Sequence, residues 1–207
     1  MESRIVASLD LTDKEKLLAL SETIGKQVFA IKINWPTILS AGKSIIGELS
    51  SYSKVICDFK LADIPNTIKL IAKQIADQDP YAIICHPFVG SDSLKELVST
   101  GIRTIGVVAM SNEGASEHLN KHWKELLSDV KGAGAYGIIA AGNNYTLLKE
   151  ISSQKEHLKV FSPGVGAQGG SAAESIKNGS DYIIVGRAIY DSADPVSEIK
   201  KINSEIQ

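Results

Sequence analysis

The chain has 207 residues, 43% of them hydrophobic and 22% charged, with a formal charge of −2 and a pI near 6.1. That is ordinary globular composition, enough for one sizeable core and without the basic excess of a nucleic-acid binder. No apolar run reaches the ~20 residues that cross a bilayer, and Met1-Glu2-Ser3-Arg4 leads straight into a strand-like run instead of a secretory signal, so the expected setting is cytoplasmic, with no membrane partner.

A first strand is predicted over residues 4–9. Thr12-x-x-Glu15 then reads as a capping box ahead of Leu17, Leu18 and Leu20. After a strand over 28–33, Pro36 opens a helix carrying Ile38, Ile45, Ile46 and Leu49. A strand over 54–59 runs into Asp58-Phe59-Lys60-Leu61-Ala62-Asp63-Ile64-Pro65-Asn66-Thr67, then into the helix spacing of Ile68, Ile71, Ala72, Ile75 and Ala76, which Pro80 stops. The strand over 81–85 precedes Ser93-x-x-Glu96, Leu97 and Val98, with Gly101 as a stop. The strand over 104–109 precedes the stripe Leu119, Trp123, Leu126, Leu127 and Val130, and that over 136–140 precedes Leu147, Leu148 and Ile151. A strand over 158–161 leads through a glycine-rich segment to Ser171-x-x-Glu174 and a helix ending near Gly179. The strand over 182–185 is followed by Val196, Ile199, Ile202 and Ile206. Eight alternations in 207 residues leave about 26 residues each, a lean (β/α)8 TIM barrel of the α/β class, read as a single domain over 1–207. An open doubly wound sheet is the alternative, but no Gly-x-Gly-x-x-Gly follows the first strand.

In a strand, residues two apart share a face. With Ile5, Ala7 and Leu9 toward the helices, Asp10 turns inward. With Phe29, Ile31 and Ile33 toward the helices, Lys32 turns inward, and with Val55, Cys57 and Phe59 so placed, Asp58 and Lys60 turn inward. One parity on three adjacent strands thus brings Asp10, Lys32, Asp58 and Lys60 to the carboxyl-end mouth, where barrels do their chemistry. Asp58 and Lys60 alone read equally well as a structural ion pair; four converging charges point to a functional cluster.

Ser162-Pro163-Gly164-Val165-Gly166-Ala167-Gln168-Gly169-Gly170 follows the seventh strand, and Val185-Gly186-Arg187 ends the eighth. Glycines let backbone amides approach an anion, and loops after strands seven and eight form the common barrel phosphate site. Arg187 can grip a phosphate bidentately. Gln168 can bridge the phosphate to another part of the ligand and close the loop over it.

These residues carry a resemblance. Asp58, Lys60, Asp63, Ile64, Pro65 and Thr67, with the segment from Pro163 to Gly170 and Val185-Gly186-Arg187, resemble the orotidine 5'-phosphate decarboxylase family, in its short, archaeal-type branch. The likeness runs from Ser8-Leu9-Asp10 to Asp194-Pro195. It implies decarboxylation of orotidine 5'-monophosphate to uridine 5'-monophosphate, the last step of de novo UMP synthesis, without metal or cofactor. It further implies Lys60 as proton donor to the carbanion at ring carbon 6, and Lys32 as the residue that completes the charge array. Asp58 would either repel the substrate carboxylate or position Lys60. Asp63, Ile64 and Thr67 would enter the neighbouring site of a homodimer. Asp10 would bind ribose hydroxyls and Ser111 the pyrimidine. Pro163, Gly164, Val165, Gly166, Gln168, Gly186 and Arg187 would hold the phosphate end. Ser111-Asn112-Glu113-Gly114 departs from the Ser-His-Pro-Gly of related enzymes, which leaves the geometry of that loop open.

The Asp-x-Lys-x-x-Asp core is shared with metal-dependent sugar-phosphate lyases, so such a lyase is a second reading, and a nucleotide-binding barrel without catalysis a third. His86 is expected to hydrogen-bond behind the site, whereas His118, His122 and His157 read as surface, as does the Lys121–Lys124 stretch. Asn143-Asn144 reads as a helix cap. Cys57 and Cys85 lie in apolar runs and read as buried, reduced thiols rather than zinc ligands.

Overall fold

Each Ile- and Val-rich run becomes a short parallel strand. The structure, a computed structural model, describes residues 3–166 and 168–206; Ala167, inside the glycine-rich segment, and residues 1, 2 and 207 lie outside it. The strands are β1 (Ile5–Ser8), β2 (Ala30–Asn34), β3 (Lys54–Leu61), β4 (Ala82–Cys85), β5 (Arg103–Val107), β6 (Gly137–Ile139), β7 (Lys159–Ser162) and β8 (Tyr182–Val185). Each pairs with the next and β8 returns to β1, closing a (β/α)8 TIM barrel. Closure removes the unpaired edges that the open-sheet alternative would have kept.

The helices packed outside are α1 (Lys14–Ile24), α2 (Trp35–Ala41), α3 (Ile45–Ser50), α4 (Pro65–Ile75), α5 (Ser91–Ser99), α6 (Trp123–Gly132), α7 (Tyr145–Ser153), α8 (Ala172–Lys177), α9 (Arg187–Tyr190) and α10 (Pro195–Glu205). Where one helix was expected after β2 there are two. Gly42, at φ 76°, breaks the run in a backbone region that side chains disfavour, and α3 begins three residues later. The cap of α1 is Asp13, not Thr12: its carboxylate accepts the Lys16 N–H at 3.1 Å. Helix α5 starts at Ser91, ahead of the expected Ser93 cap. Gly90, at φ 107°, supplies the turn. Ser93 Oγ instead donates to the Asp63 carbonyl at 2.9 Å, tying α5 to the segment after β3. Ser171 does cap α8, accepting from the Glu174 N–H, and Asn144 caps α7 by accepting from Leu147.

Two apolar layers follow from strand alternation. Ile5, Ala7, Leu9, Ile31, Ile33, Val55, Cys57 and Phe59 pack outward against the helices. Val6, Ala30, Ile56, Ile84, Val107, Phe161 and Ile184 fill the barrel. Phe29 breaks the expected parity. It precedes β2 and joins the inner layer, stacked on Tyr182 with centroids 3.9 Å apart. At the amino end the ring packs against Tyr81, Phe161 and Tyr182 and closes the barrel floor.

Candidate active site

The end of β3 is irregular where the charges lie. Cys57 pairs with Ile83 and Leu61 with Cys85, so four steps along β3 match two along β4. Phe59 and Leu61 remain in the outer layer, while Asp58 and Lys60 line a cavity of about 300 Å³ in the carboxyl-end mouth. Lys60 adopts φ 44°, a left-handed conformation that costs a non-glycine residue about 1–2 kcal/mol. Strain of this kind survives where surrounding structure over-determines it, and it gathers at functional sites.

Asp58 is the hub. Its carboxylate accepts from Lys32 Nζ at 2.7 Å and from Lys60 Nζ at 2.8 and 2.9 Å. Burial pushes the Asp58 carboxyl upward, but the two ammoniums outweigh it and hold the group below the ordinary carboxylate range. The side chains of Lys32 and Asp58 are 7% and 9% exposed, that of Lys60 39%. Two ammoniums thus share one carboxylate. This wall carries net positive charge, and the open lysine is the one that faces incoming ligand.

Asp10 stands beside the array and pairs differently from it. It accepts from Ser8 Oγ at 3.1 Å and from Asn34 Nδ2 at 2.9 Å. Asn34 also caps α2 through its other amide atom, accepting the Thr37 N–H at 3.4 Å. One side chain therefore starts a helix and fixes a carboxylate that remains free to accept hydroxyls. Tyr190, on α9, lines the same cavity. Burial first, and then the charge of Asp10, raise its phenol above the usual range.

The opposite wall is built from Ser111, Pro163, Gly164, Val165, Gln168, Gly186 and Arg187. The glycine segment folds on itself. The amide of Gly166 donates to Gly170, that of Gly169 to Gly166 and that of Gly170 to Gly164, at 2.8, 2.8 and 3.0 Å. Those amides are engaged within the loop, and Gly166 does not line the cavity. Among the described residues on this wall Arg187 carries the cationic group and Gln168 a side-chain amide, both suited to an anion.

Of the site residues read from sequence, Asp10, Lys32, Asp58, Lys60, Ser111, Pro163, Gly164, Val165, Gln168, Gly186 and Arg187 meet in this cavity, whereas Asp63, Ile64, Thr67 and Gly166 do not. Asp63 is exposed, its carboxylate accepting the N–H of Ile64 at 2.7 Å. Ser8, Asn34, Met110, Ile139, Ile184 and Tyr190 line the cavity without having been singled out. Asn34, a good cap just before Pro36, carried the one usable signal. His86 lies behind the array, not in the cavity lining, with Nδ1 buried and unpartnered among the described residues. Burial first and then the Lys60 charge lower its pKa, against a smaller upward pull from Asp58. His118, His122 and His157 are exposed. Cys57 and Cys85 are free and buried, and burial pushes both thiols up to about 12. Among the described residues no cluster of three or more His, Cys, Asp or Glu side chains could hold a metal ion, and no helix is long and apolar enough to cross a membrane.

Fold and cavity together define a (β/α)8 barrel whose charged groups gather at the carboxyl ends of its strands, the catalytic end of such barrels. Residues 3–202 match the model of the orotidine 5'-phosphate decarboxylase / HUMPS family. An orotidine 5'-phosphate decarboxylase of Thermoplasma acidophilum is 49% identical over 207 residues, covering 99% of this chain and 96% of the relative. One from Pyrococcus furiosus is 40% identical over 206 residues, covering 98% and 97%. The solved orotidine 5'-monophosphate decarboxylase of Methanocaldococcus jannaschii, complexed with the inhibitor BMP, superposes with a TM-score of 0.93 at 36% identity, covering all of both chains. The chain belongs to the orotidine 5'-phosphate decarboxylase / HUMPS family.

Proposed function

We propose that this protein decarboxylates orotidine 5'-monophosphate to uridine 5'-monophosphate, closing de novo UMP synthesis in the cytoplasm, by a mechanism that uses fixed charge instead of a metal or cofactor. The observation that carries the reading is the Lys32–Asp58–Lys60 array, in one cavity with Arg187 and Gln168. The bond from ring carbon 6 to the carboxylate breaks, carbon dioxide leaves, and the electron pair stays on carbon 6 in the ring plane with no adjacent sink. Lys60 Nζ stabilises that pair electrostatically and then transfers its proton to it. Asp58 accepts two hydrogen bonds from Lys60, which supports a role in aiming the ammonium; its charge also opposes a substrate carboxylate bound beside it. Asp10, held by Ser8 and Asn34, accepts the ribose hydroxyls. Ser111 meets the pyrimidine, and Arg187, Gln168, Gly186 and the segment Pro163-Gly164-Val165 hold the phosphate. Loss of orotidine monophosphate, followed by absorbance in EDTA with Lys60→Ala as control, tests the reading. No turnover by the wild-type protein would refute it and move the assignment to the metal-dependent sugar-phosphate lyases, whereas turnover abolished by EDTA would refute the metal-free mechanism alone.

The active unit is read as a homodimer. Leu39 and Ile64 are 82% and 64% exposed, with Trp35, Leu70 and Phe88 also open, all on α2, α4 and the turns after β3 and β4. Exposed apolar side chains gathered on one flank of the mouth fit a second copy. That copy would bring its own Asp63, Ile64 and Thr67 to the cavity beside Lys60. Mixing inactive Asp63→Asn with inactive Lys60→Ala protein should then restore about a quarter of wild-type activity, because half the dimers are mixed and each has one intact site. No recovery, with subunit exchange demonstrated, would reject the shared site.

Arg187→Ala should weaken phosphorylated ligands about 10- to 100-fold, the range for charge-assisted hydrogen bonds, and leave the unphosphorylated nucleoside nearly unchanged. Calorimetry on both ligands checks this. Equal losses would put the phosphate elsewhere.

A further inference from the structure

The segment after β5 carries Ser111 into the cavity on irregular backbone, and no proline stiffens residues 110–114. Val108 and Ala109 are still attached to the barrel, their amides donating to the Ile139 carbonyl at 3.0 and 3.1 Å. Beyond them Met110 is held by one side chain. Its N–H donates to Asn120 Oδ1 at 2.9 Å, and its carbonyl accepts from Asn120 Nδ2 at 3.1 Å. The Asn120 amide thus pairs with both backbone groups of Met110, as a neighbouring strand would. The next carbonyl, that of Ser111, accepts from Asn143 Nδ2 at 3.1 Å. Gly164 closes the corner: a Cβ there would lie 2.9 Å from Ser111 Cβ and 3.1 Å from Asn143 Cγ. Asn120 itself, on a 3-10 turn over Leu119–His122, does not line the cavity.

We propose that Asn120 is a positioning residue for recognition of the base: by clamping Met110 it fixes the height and direction at which Ser111 meets the pyrimidine, with Asn143 holding the far side of the same peptide. This deepens the proposed decarboxylase reading and rests on it. A backbone segment that has left the sheet keeps its coordinates only where something replaces the lost ladder bonds. Here the Asn120 amide does so, with two bonds to the residue before Ser111, and among the described residues Ser111 is otherwise fixed by its own carbonyl bond to Asn143 and its packing against Gly164.

The test is a double-mutant cycle on kcat/KM for orotidine monophosphate. Asn120→Ala, Ser111→Ala and the double variant are compared, with melting temperatures as a control on folding. If Asn120 acts through Ser111, Asn120→Ala lowers kcat/KM about tenfold in the wild-type background and less than about twofold once Ser111 is already alanine. Equal factors in both backgrounds would overturn the proposal, since a merely structural clamp damages both alike. Should Asn120→Ala fail to fold, Asn120→Asp replaces it in the cycle; it keeps the acceptor for the Met110 N–H and sets a carboxylate oxygen against the Met110 carbonyl in place of the donor. Failure of the two readings is distinguishable. A wild-type protein that neither turns over nor binds the nucleotide refutes the decarboxylase reading and this inference with it, whereas an active wild type with an additive cycle refutes this inference alone.

Discussion

Lys60→Ala is expected to abolish turnover of orotidine monophosphate while leaving the protein folded. An ammonium about 4 Å from a developing anion is worth about 4 kcal/mol at an effective dielectric constant near 20, which is about 10³-fold in rate. Loss of the proton donor removes a further ~10²–10⁴. The combined loss is therefore about 10⁵-fold or more in kcat. The stability cost should be small. The Lys60 side chain is 39% exposed, and Asp58 retains Lys32 at 2.7 Å. Alanine at φ 44° carries much the same backbone strain as lysine, so no new penalty arises there. The measurement is single-turnover kinetics beside a thermal melt. A variant within tenfold of wild type would remove Lys60 from the chemistry. A variant inactive because it is unfolded would mean that Lys60 is structural, the reading its segment allowed at first.

Asp58→Asn should produce the largest stability change of any single substitution in the site. It leaves Lys32, 7% exposed, as a buried ammonium without its counter-charge. Breaking such a pair costs about 3–5 kcal/mol, or about 6–20 °C in melting temperature for a chain of this size. Activity should fall with it, because Lys60 loses the carboxylate that aims it. The double variant Asp58→Asn with Lys32→Met should recover most of the stability and none of the activity, since it removes the buried ammonium that the single variant leaves without a counter-charge. A drop of less than about 2 °C in the single variant would mean that water reaches the pair and screens it. The pH dependence has a defined sign. The folded-state pKa of Asp58 lies below its ordinary value, so its contribution is complete above the unfolded pKa and is lost as pH falls through the depressed folded one. Acid should therefore destabilise the wild type more than Asp58→Asn, and melting curves from neutral pH down to about pH 2 would expose the difference.

The local chemistry of the strands and several caps was legible because it depends on neighbours in the chain. Ser171 three residues before Glu174 caps α8 as its spacing implies, and the outward parity of Ile5, Ala7, Leu9, Val55 and Cys57 follows from alternation alone. Asp13 and Gly90 were harder to read, since capping choices one or two residues apart differ by less than tertiary packing does. Phe29 departs from the expected parity for a related reason: strand parity ends with the strand, and only the closed floor determines which way the ring turns.

What the chain by itself determined was the eightfold β/α repeat, the identity of the charged residues at the ends of β1, β2 and β3, and the glycine segment after β7. Periodicity and residue type act over a few positions and survive in one dimension. Tertiary structure decided how those residues meet. The register slip that puts Lys60 at φ 44° arises from pairing β3 against β4. The Asn34 bond to Asp10 and the Asn120 clamp on Met110 each depend on side chains reaching backbone or carboxylate across a fold that no local spacing encodes. The Lys32–Asp58 contact joins residues 26 apart, and its strength comes from burial that only the closed barrel supplies.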